Sequence, residues 1–208
     1  MNNLSENQFL SDSFLTLAAN SEGLFKDKGS KFLYFSFRVS SEEEIKTQLA
    51  ALRKTYFDAS HHCYAWVLGR NGDTYRANDD GEPNHSAGDP ILGQIRSNNL
   101  TNVLIVVVRY FGGTKLGVSG LIQAYKTSAA LAIEENQIVE EWIKVTIELR
   151  FSYQLMNEVM KVVKAHNLEI IAQEMELDCK IILSIKEGLS DQVFGKLGEI
   201  DGLEIKTA

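Results

Sequence analysis

The order of the elements after residue 141 constrains the fold of this chain more than any other feature. Apolar side chains alternate with polar ones in the strand patterns and recur every three or four residues in the helix patterns. In chain order, the patterns are a strand at 142–151, a helix at 155–166, strands at 168–175 and 177–185, a helix at 190–197 and a strand at 203–205. This βαββαβ order predicts a ferredoxin-like domain. Such domains serve many unrelated functions, so the order alone indicates no activity.

The first half of the chain predicts a mixed α/β domain. The predicted strands lie at 32–39, 61–68, 73–77 and 103–110, and the predicted helices at 40–56, from 89 onward and at 119–135. Residues 103–108 are apolar without a break, which is typical of a buried strand. The helical pattern ends near residue 136. The predicted domains are therefore residues 1–137 and 138–208, and the fold class is α+β.

Composition limits the kinds of partner. The formal net charge is -7, with 13 basic and 15 acidic residues in 1–136 but 8 and 13 in 137–208. Only a local basic patch in the first domain could therefore bind nucleic acid by releasing counterions. Two cysteines, Cys63 and Cys179, are too few for a disulfide framework and fit a reduced cytoplasmic setting. No apolar run is long enough for a membrane helix, and the first residues lack a secretory pattern. We expect no membrane partner and no cofactor.

The first candidate loop covers residues 78–90 and is rich in acids. Asp79, Asp80 and Glu82 could hold a hard cation through their carboxylate oxygens. Their spacing does not match a calcium-binding loop, which has ligands at alternate positions over about twelve residues. The alternative is a solvated loop in which Asp79 or Asp80 caps a turn.

The second candidate loop, residues 109–120, joins the buried strand to a helix. Backbone N–H groups gather at such a place and can hold an anion. The loop's candidate groups are Arg109, Gly112, Gly113, Lys115 and Gly117. Val118 stands where a phosphate-binding loop needs its lysine, so nucleotide hydrolysis is not expected. The alternative is that the glycines only permit tight turns and close packing.

Several segments of the first domain together resemble the signature of the IMPACT/YigZ family. They are residues 25–32, 61–67 with His62, 79–83, 87–92, 106–113, 115–117 and 120–125. The resemblance implies a two-layer α/β first domain with the fold of the second domain of a small-subunit ribosomal protein. It implies a ferredoxin-like second domain as well. Eukaryotic members regulate translation by binding the activator of the amino-acid-starvation kinase. For bacterial members, association with ribosomes or nucleic acid rests on fold analogy.

The sequence departs from the family pattern beside both loops. His85 and Ser86 replace a small Gly-Thr pair, Asp89 replaces a basic residue, and Val118 with Ser119 replaces a Thr-Gly pair. These changes remove positive charge and add bulk near the glycine loop. If the family binds phosphate there, this chain is expected to bind it more weakly or to bind another group.

The leading hypothesis is a non-enzymatic binding protein linked to translation regulation. The first domain would contact a ribosome or RNA through one patch formed by His62, Asp79, Asp80, Glu82, Arg109, Gly112, Gly113, Lys115 and Gly117. A second hypothesis is an enzyme for a small phosphorylated or acyl substrate bound between the two loops, with the acids as base or metal ligands. A third is a module that binds a translation-associated protein.

Overall fold

A five-stranded antiparallel sheet organises the first part of the computed structural model, which describes residues 12–207. The sheet order is β2-β3-β6-β4-β5, and a separate pair joins β1 to β7. The elements are β1 (Ser13–Leu17), β2 (Ser21–Asp27), β3 (Ser30–Arg38), α1 (Glu42–Thr55), β4 (His61–Leu68), β5 (Thr74–Asn78), α2 (Gly88–Ser97), β6 (Val103–Tyr110), α3 (Gly117–Glu134) and β7 (Ile138–Trp142).

Helices cover both faces of this sheet. On one face, α2 and α3 pack on Cys63, Ala65 and the odd-numbered residues of β6. On the other, α1 packs through Ile45 and Leu52 on the even-numbered residues of β6. The two-layer arrangement predicted for this domain is therefore wrong. The continuous apolar run in β6 explains the difference, because a strand with apolar side chains of both parities must be covered on both faces.

The remaining described residues form a second sheet with the order β11-β8-β10-β9, antiparallel throughout. Its elements are β8 (Lys144–Ser152), α4 (Met156–Ala165), β9 (Glu169–Glu174), β10 (Asp178–Lys186), α5 (Ser190–Gly198) and β11 (Glu204–Thr207), with 3₁₀ turns at Tyr153–Leu155 and Glu187–Leu189. The strand and helix order from β8 onward is the one predicted from the sequence. The chain as described is thus mixed α/β with several antiparallel sheets.

The described residues divide into two compact units. One comprises residues 14–141, and the other combines residues 12 and 13 with 142–207. Each unit has buried clusters of its own. The predicted boundary between residues 137 and 138 stays a prediction. None of the helices between residues 12 and 207 is long and apolar enough to cross a membrane.

Candidate functional site

A buried ion pair forms the centre of the site. Arg109, near the end of β6, places Nη1 2.5 Å from Oε1 of Glu82, and both side chains are more than nine-tenths buried. The Tyr125 hydroxyl of α3 donates to the same Glu82 oxygen at 2.8 Å. The acidic loop is therefore fastened both to the end of the sheet and to α3.

Strand register explains why these groups meet. Arg109 lies directly opposite His61 of β4 and Phe32 of β3, so all three side chains point to the face that α2 and α3 cover. The Arg109 guanidinium lies 5.5 Å from the centre of the Phe32 ring. Nδ1 of His61 lies 2.8 Å from the carbonyl oxygen of Asp80. A cation at the sheet end thus has an aromatic ring beside it and a carboxylate in contact.

Asp79 caps the N-terminus of α2. Its Oδ1 accepts from the backbone N–H groups of Ala87 and Gly88, and its Oδ2 accepts from that of His85, all at 2.8–2.9 Å. Partial burial opposes ionisation of this carboxyl, but the three donors prevail and lower its pKa. The sequence left open that Asp79 caps a turn; in the structure its carboxylate caps the start of a helix.

Asp80 and His62 belong to the opposite side of the sheet. Asp80 accepts from Arg53 of α1 and from the His62 backbone N–H, both at 2.7 Å. Because neighbours on a strand point to opposite faces, the His62 side chain faces α1 rather than Arg109. Burial lowers the pKa of His62. The structure thus keeps His62 and Asp80 together on the α1 side of the sheet, apart from Arg109.

The three acids of the loop do not converge. Asp79 caps α2, Asp80 pairs with Arg53, and Glu82 pairs with Arg109. Over residues 12–207, no group of three His, Cys, Asp or Glu side chains is placed to hold a metal ion. The arrangement fixes the loop against three neighbouring elements instead of concentrating negative charge.

Cys63 is the nearest group with nucleophilic chemistry, and its surroundings suppress that chemistry. Its Sγ is buried, lies 3.3 Å from the Tyr125 hydroxyl and donates to the Asp79 carbonyl at 3.0 Å. Burial raises the pKa of the Cys63 thiol and that of the Tyr125 hydroxyl. Both groups therefore keep their protons at neutral pH, and the thiolate that attack requires is not formed.

The glycine loop is pressed against the turn between β2 and β3. A Cβ on Gly112 would lie 1.9 Å from the carbonyl carbon of Gly29, so only glycine permits this approach. The Gly112 N–H donates to the Ser30 hydroxyl at 3.2 Å. Gly113 and Gly117 have φ angles of 85° and 72°, in the left-handed region that glycine adopts readily. Lys115 is exposed between them.

A pocket of about 320 Å³ opens between the acidic loop and the glycine loop. Glu82 and Arg109 lie at its inner end, Lys115 is its free cation among the lining groups, and Gly117 begins α3 beside it without a side-chain cap. The other walls are apolar and include Pro83, Phe111, Leu116 and Leu121. The pocket can therefore hold an apolar group that carries a negative charge.

The structure brings together part of the predicted patch. Glu82, Arg109, Lys115 and Gly117 line one pocket, and Gly112 and Gly113 shape its glycine loop. Asp79, Asp80 and His62 do not line it. Sequence reasoning missed Tyr125, Ser30 and Phe111 as site residues, although an aromatic residue inside a glycine loop is a usable signal for Phe111.

Two of the departures from the family pattern contact each other. His85, at a φ of 64°, places Nδ1 2.6 Å from Oδ2 of Asp89 in the first turn of α2. The third departure, Val118, is about half exposed at the pocket's edge. The added acid is thus engaged by the added histidine, outside the group of residues that lines the pocket.

Fold and site together define a mixed α/β protein with a loop-built pocket on its first unit. Residues 28–133 match the model of the Impact N-terminal domain. A Bacillus subtilis protein, IMPACT family member YvyE, is 32% identical over 210 residues, covering 92% of this chain and 94% of the relative. The chain therefore belongs to the IMPACT family.

Other similarities agree with this membership. IMPACT family member YigZ of Escherichia coli is 37% identical over 116 residues, which cover 55% of this chain and 57% of that protein. A crystal structure of a hypothetical protein superposes with a TM-score of 0.70 at 25% identity, covering 95% of this chain and 98% of that one. The similarity to that structure thus extends over nearly the whole length of the chain.

Proposed function

We propose that this chain is a non-enzymatic binding protein of translation regulation and that it contacts the ribosome through residues 14–141. Family membership supports the link to translation, since the resemblance to eukaryotic regulators lies in this part of the chain. We further propose that the first domain is related in fold to the second domain of a small-subunit ribosomal protein, with α1 as an additional layer on the other face of the sheet, and that the second domain is ferredoxin-like. On this proposal the protein acts in the cytoplasm.

The proposal rests on the observation that the groups around the pocket that could do chemistry are paired or protonated. Glu82 and Arg109 neutralise each other, and Cys63 behind them keeps its proton. A ligand would therefore meet a preformed, largely apolar cleft with Lys115 free beside it. These features favour holding a partner over chemistry on a substrate, and they do not favour the enzyme hypothesis.

Sedimentation with ribosomes from a bacterial lysate tests the proposal. We expect the wild-type chain to sediment with ribosomes at low salt and to be released at high salt, since exposed charges are screened. Lys115→Glu reverses one charge at the glycine loop and should remove most of the sedimenting protein. Lys161→Glu makes the same change on the exposed surface of α4 and should not.

Two results would oppose the proposal. Absence of the wild-type chain from every ribosomal fraction at low salt would contradict ribosome contact. Equal sedimentation of wild type and Lys115→Glu would show that the glycine loop is not part of the contact.

A further inference from the structure

A cluster of unpaired lysines lies at the tip formed by the β2–β3 turn and the glycine loop. Its members are Lys26, Lys28, Lys31 and Lys115, here called the lysine tip. Among residues 12–207, none of the four forms an ion pair. The backbone contact of Gly112 with Gly29 joins the two segments. Although the net charge of the chain is -7, the described residues thus include four exposed lysines without an ion pair on these two joined segments.

The positions of these lysines are unfavourable for the fold. Lys26 lies directly opposite Lys31 in the β2–β3 register, and like charges opposite each other destabilise a strand pair. Lys28 and Gly29 form the two-residue turn with φ angles of 44° and 82°, a geometry for which Asn-Gly is preferred. Lysines at positions that folding disfavours indicate a role in binding an anion.

An aromatic pocket of about 440 Å³ lies beside the lysine tip. Tyr56, Tyr110 and Phe111 line it together with Lys31. The Tyr110 hydroxyl donates to Asp58 at 2.7 Å, which fixes the ring and raises the pKa of Tyr110 to about 12. Phe111 is half exposed. The pocket thus offers three aromatic rings to a flat ligand group, and one of these rings is held by a hydrogen bond.

The sheet leaves this pocket open because α1 covers only part of its face. Ile45 and Leu52 of α1 pack over β3, β6 and β4, whereas Leu24 on the edge strand β2 is 46% exposed. A helix is about 10 Å wide, whereas five strands span roughly 19 Å, so one helix leaves the β2 side uncovered. The uncovered sheet is a consequence of the fold, while the β2–β3 turn and the glycine loop add Gly29 and Phe111 to the pocket wall.

We infer that the lysine tip and the aromatic pocket bind single-stranded RNA, with phosphates on the lysines and a base against the aromatic rings. Aromatic faces stack on any base, and unpaired lysines beside them neutralise the backbone. An acidic protein segment would use the lysines but has no need of three aromatic faces. The inference rests on the proposed function, because the ribosome would supply the RNA.

Fluorescence anisotropy with a labelled single-stranded RNA of about ten nucleotides tests the inference on the full chain. Four lysine–phosphate contacts predict an affinity that falls about 50-fold between about 50 and 200 mM salt. Lys28→Asn should bind more weakly and with a shallower salt dependence while raising the melting temperature, because Asn suits the turn. Lys161→Gln removes one charge elsewhere and should change neither property.

A second variant separates stacking from apolar contact. Phe111→Leu keeps an apolar side chain but removes the ring, and it should weaken RNA binding about tenfold. The same RNA annealed to its complement should bind more weakly, because its bases are no longer free to stack on the rings. Polyglutamate, tested as a competitor, should displace the RNA poorly.

Three results would overturn the inference: no RNA binding at low salt, unchanged binding by Phe111→Leu, or displacement by polyglutamate as effective as displacement by unlabelled RNA. The outcome is separable from that of the proposed function. If the RNA does not bind but the chain still sediments with ribosomes, the inference fails and ribosome contact through protein stands.

Discussion

At the scale of single residues, Arg109 and Glu82 illustrate how a buried charge can be structural and still shape a site. The sequence singled out both as ligand-binding groups. In the structure each is the other's principal partner, at the inner end of the pocket. Burying either charge alone would cost much free energy, and the fold tolerates both only because each neutralises the other.

Replacing one member of the pair should therefore destabilise the fold strongly. We expect Arg109→Met to lower the free energy of unfolding by about 3–5 kcal/mol, since Glu82 would keep a buried and uncompensated charge. Urea denaturation measures the change. Arg38→Met removes the exposed ion pair with Glu141 and should cost less than about 1 kcal/mol. Similar losses in both variants would contradict this account of the pair.

The burial of His62 predicts that the stability of the fold depends on pH. Burial lowers its pKa in the folded state, so the unfolded chain binds the proton more tightly. The contribution of neutral His62 is then present above the ordinary histidine pKa of about 6.5 and is lost as pH falls below it. We expect His62→Gln to lose less stability than wild type between about pH 7.5 and 5.5. Identical losses would contradict the assignment.

At the scale of elements, the sequence predicted the buried strands with long apolar patterns correctly and missed the short exposed strands. β4 and β6 begin and end at the predicted residues, because each is buried along its length. β1, β2 and β7 were not predicted. In β2, the residues on the α1 side of the sheet are Glu22, Leu24 and Lys26. An edge strand with one uncovered face has no continuous run of apolar residues by which to recognise it.

Contacts distant in sequence explain the remaining differences. Residues 142–151 were predicted as one strand, but the Ile143 N–H donates to the Asp12 carbonyl at 2.7 Å, and the chain divides into β7 and β8 there. The observed site differs from the predicted patch for the same reason. The partners of Glu82 and Asp80, which are Arg109 and Arg53, lie 27 residues away in opposite directions, and no local pattern pairs them.

The close contact between the glycine loop and the β2–β3 turn predicts that a side chain at Gly112 destabilises the fold. Gly112→Ala would place a Cβ 1.9 Å from backbone, so we expect a loss of about 3 kcal/mol in stability. Gly93→Ala, on the exposed side of α2 with nothing within 4 Å, should gain about 0.5–1 kcal/mol. Thermal denaturation compares the two. Tolerance of Gly112→Ala would mean that the turn and the loop are not held together.

At the scale of the whole molecule, charge is divided unevenly. Residues 137–208 carry 8 basic and 13 acidic residues, whereas the lysine tip lies in the unit formed by residues 14–141. Bulk composition therefore argues against nucleic acid while a local surface favours it. Counts of charged residues over each half of the chain do not reveal this surface, because three of its lysines come from one hairpin and the fourth from a distant loop.

Sedimentation of the full chain with purified bacterial ribosomes at low salt tests the central claim most directly, with Lys28→Asn run beside wild type. We predict that wild type sediments with the ribosomes and that Lys28→Asn, although more stable, sediments less. If wild type remains in the supernatant, ribosome contact through residues 14–141 is contradicted.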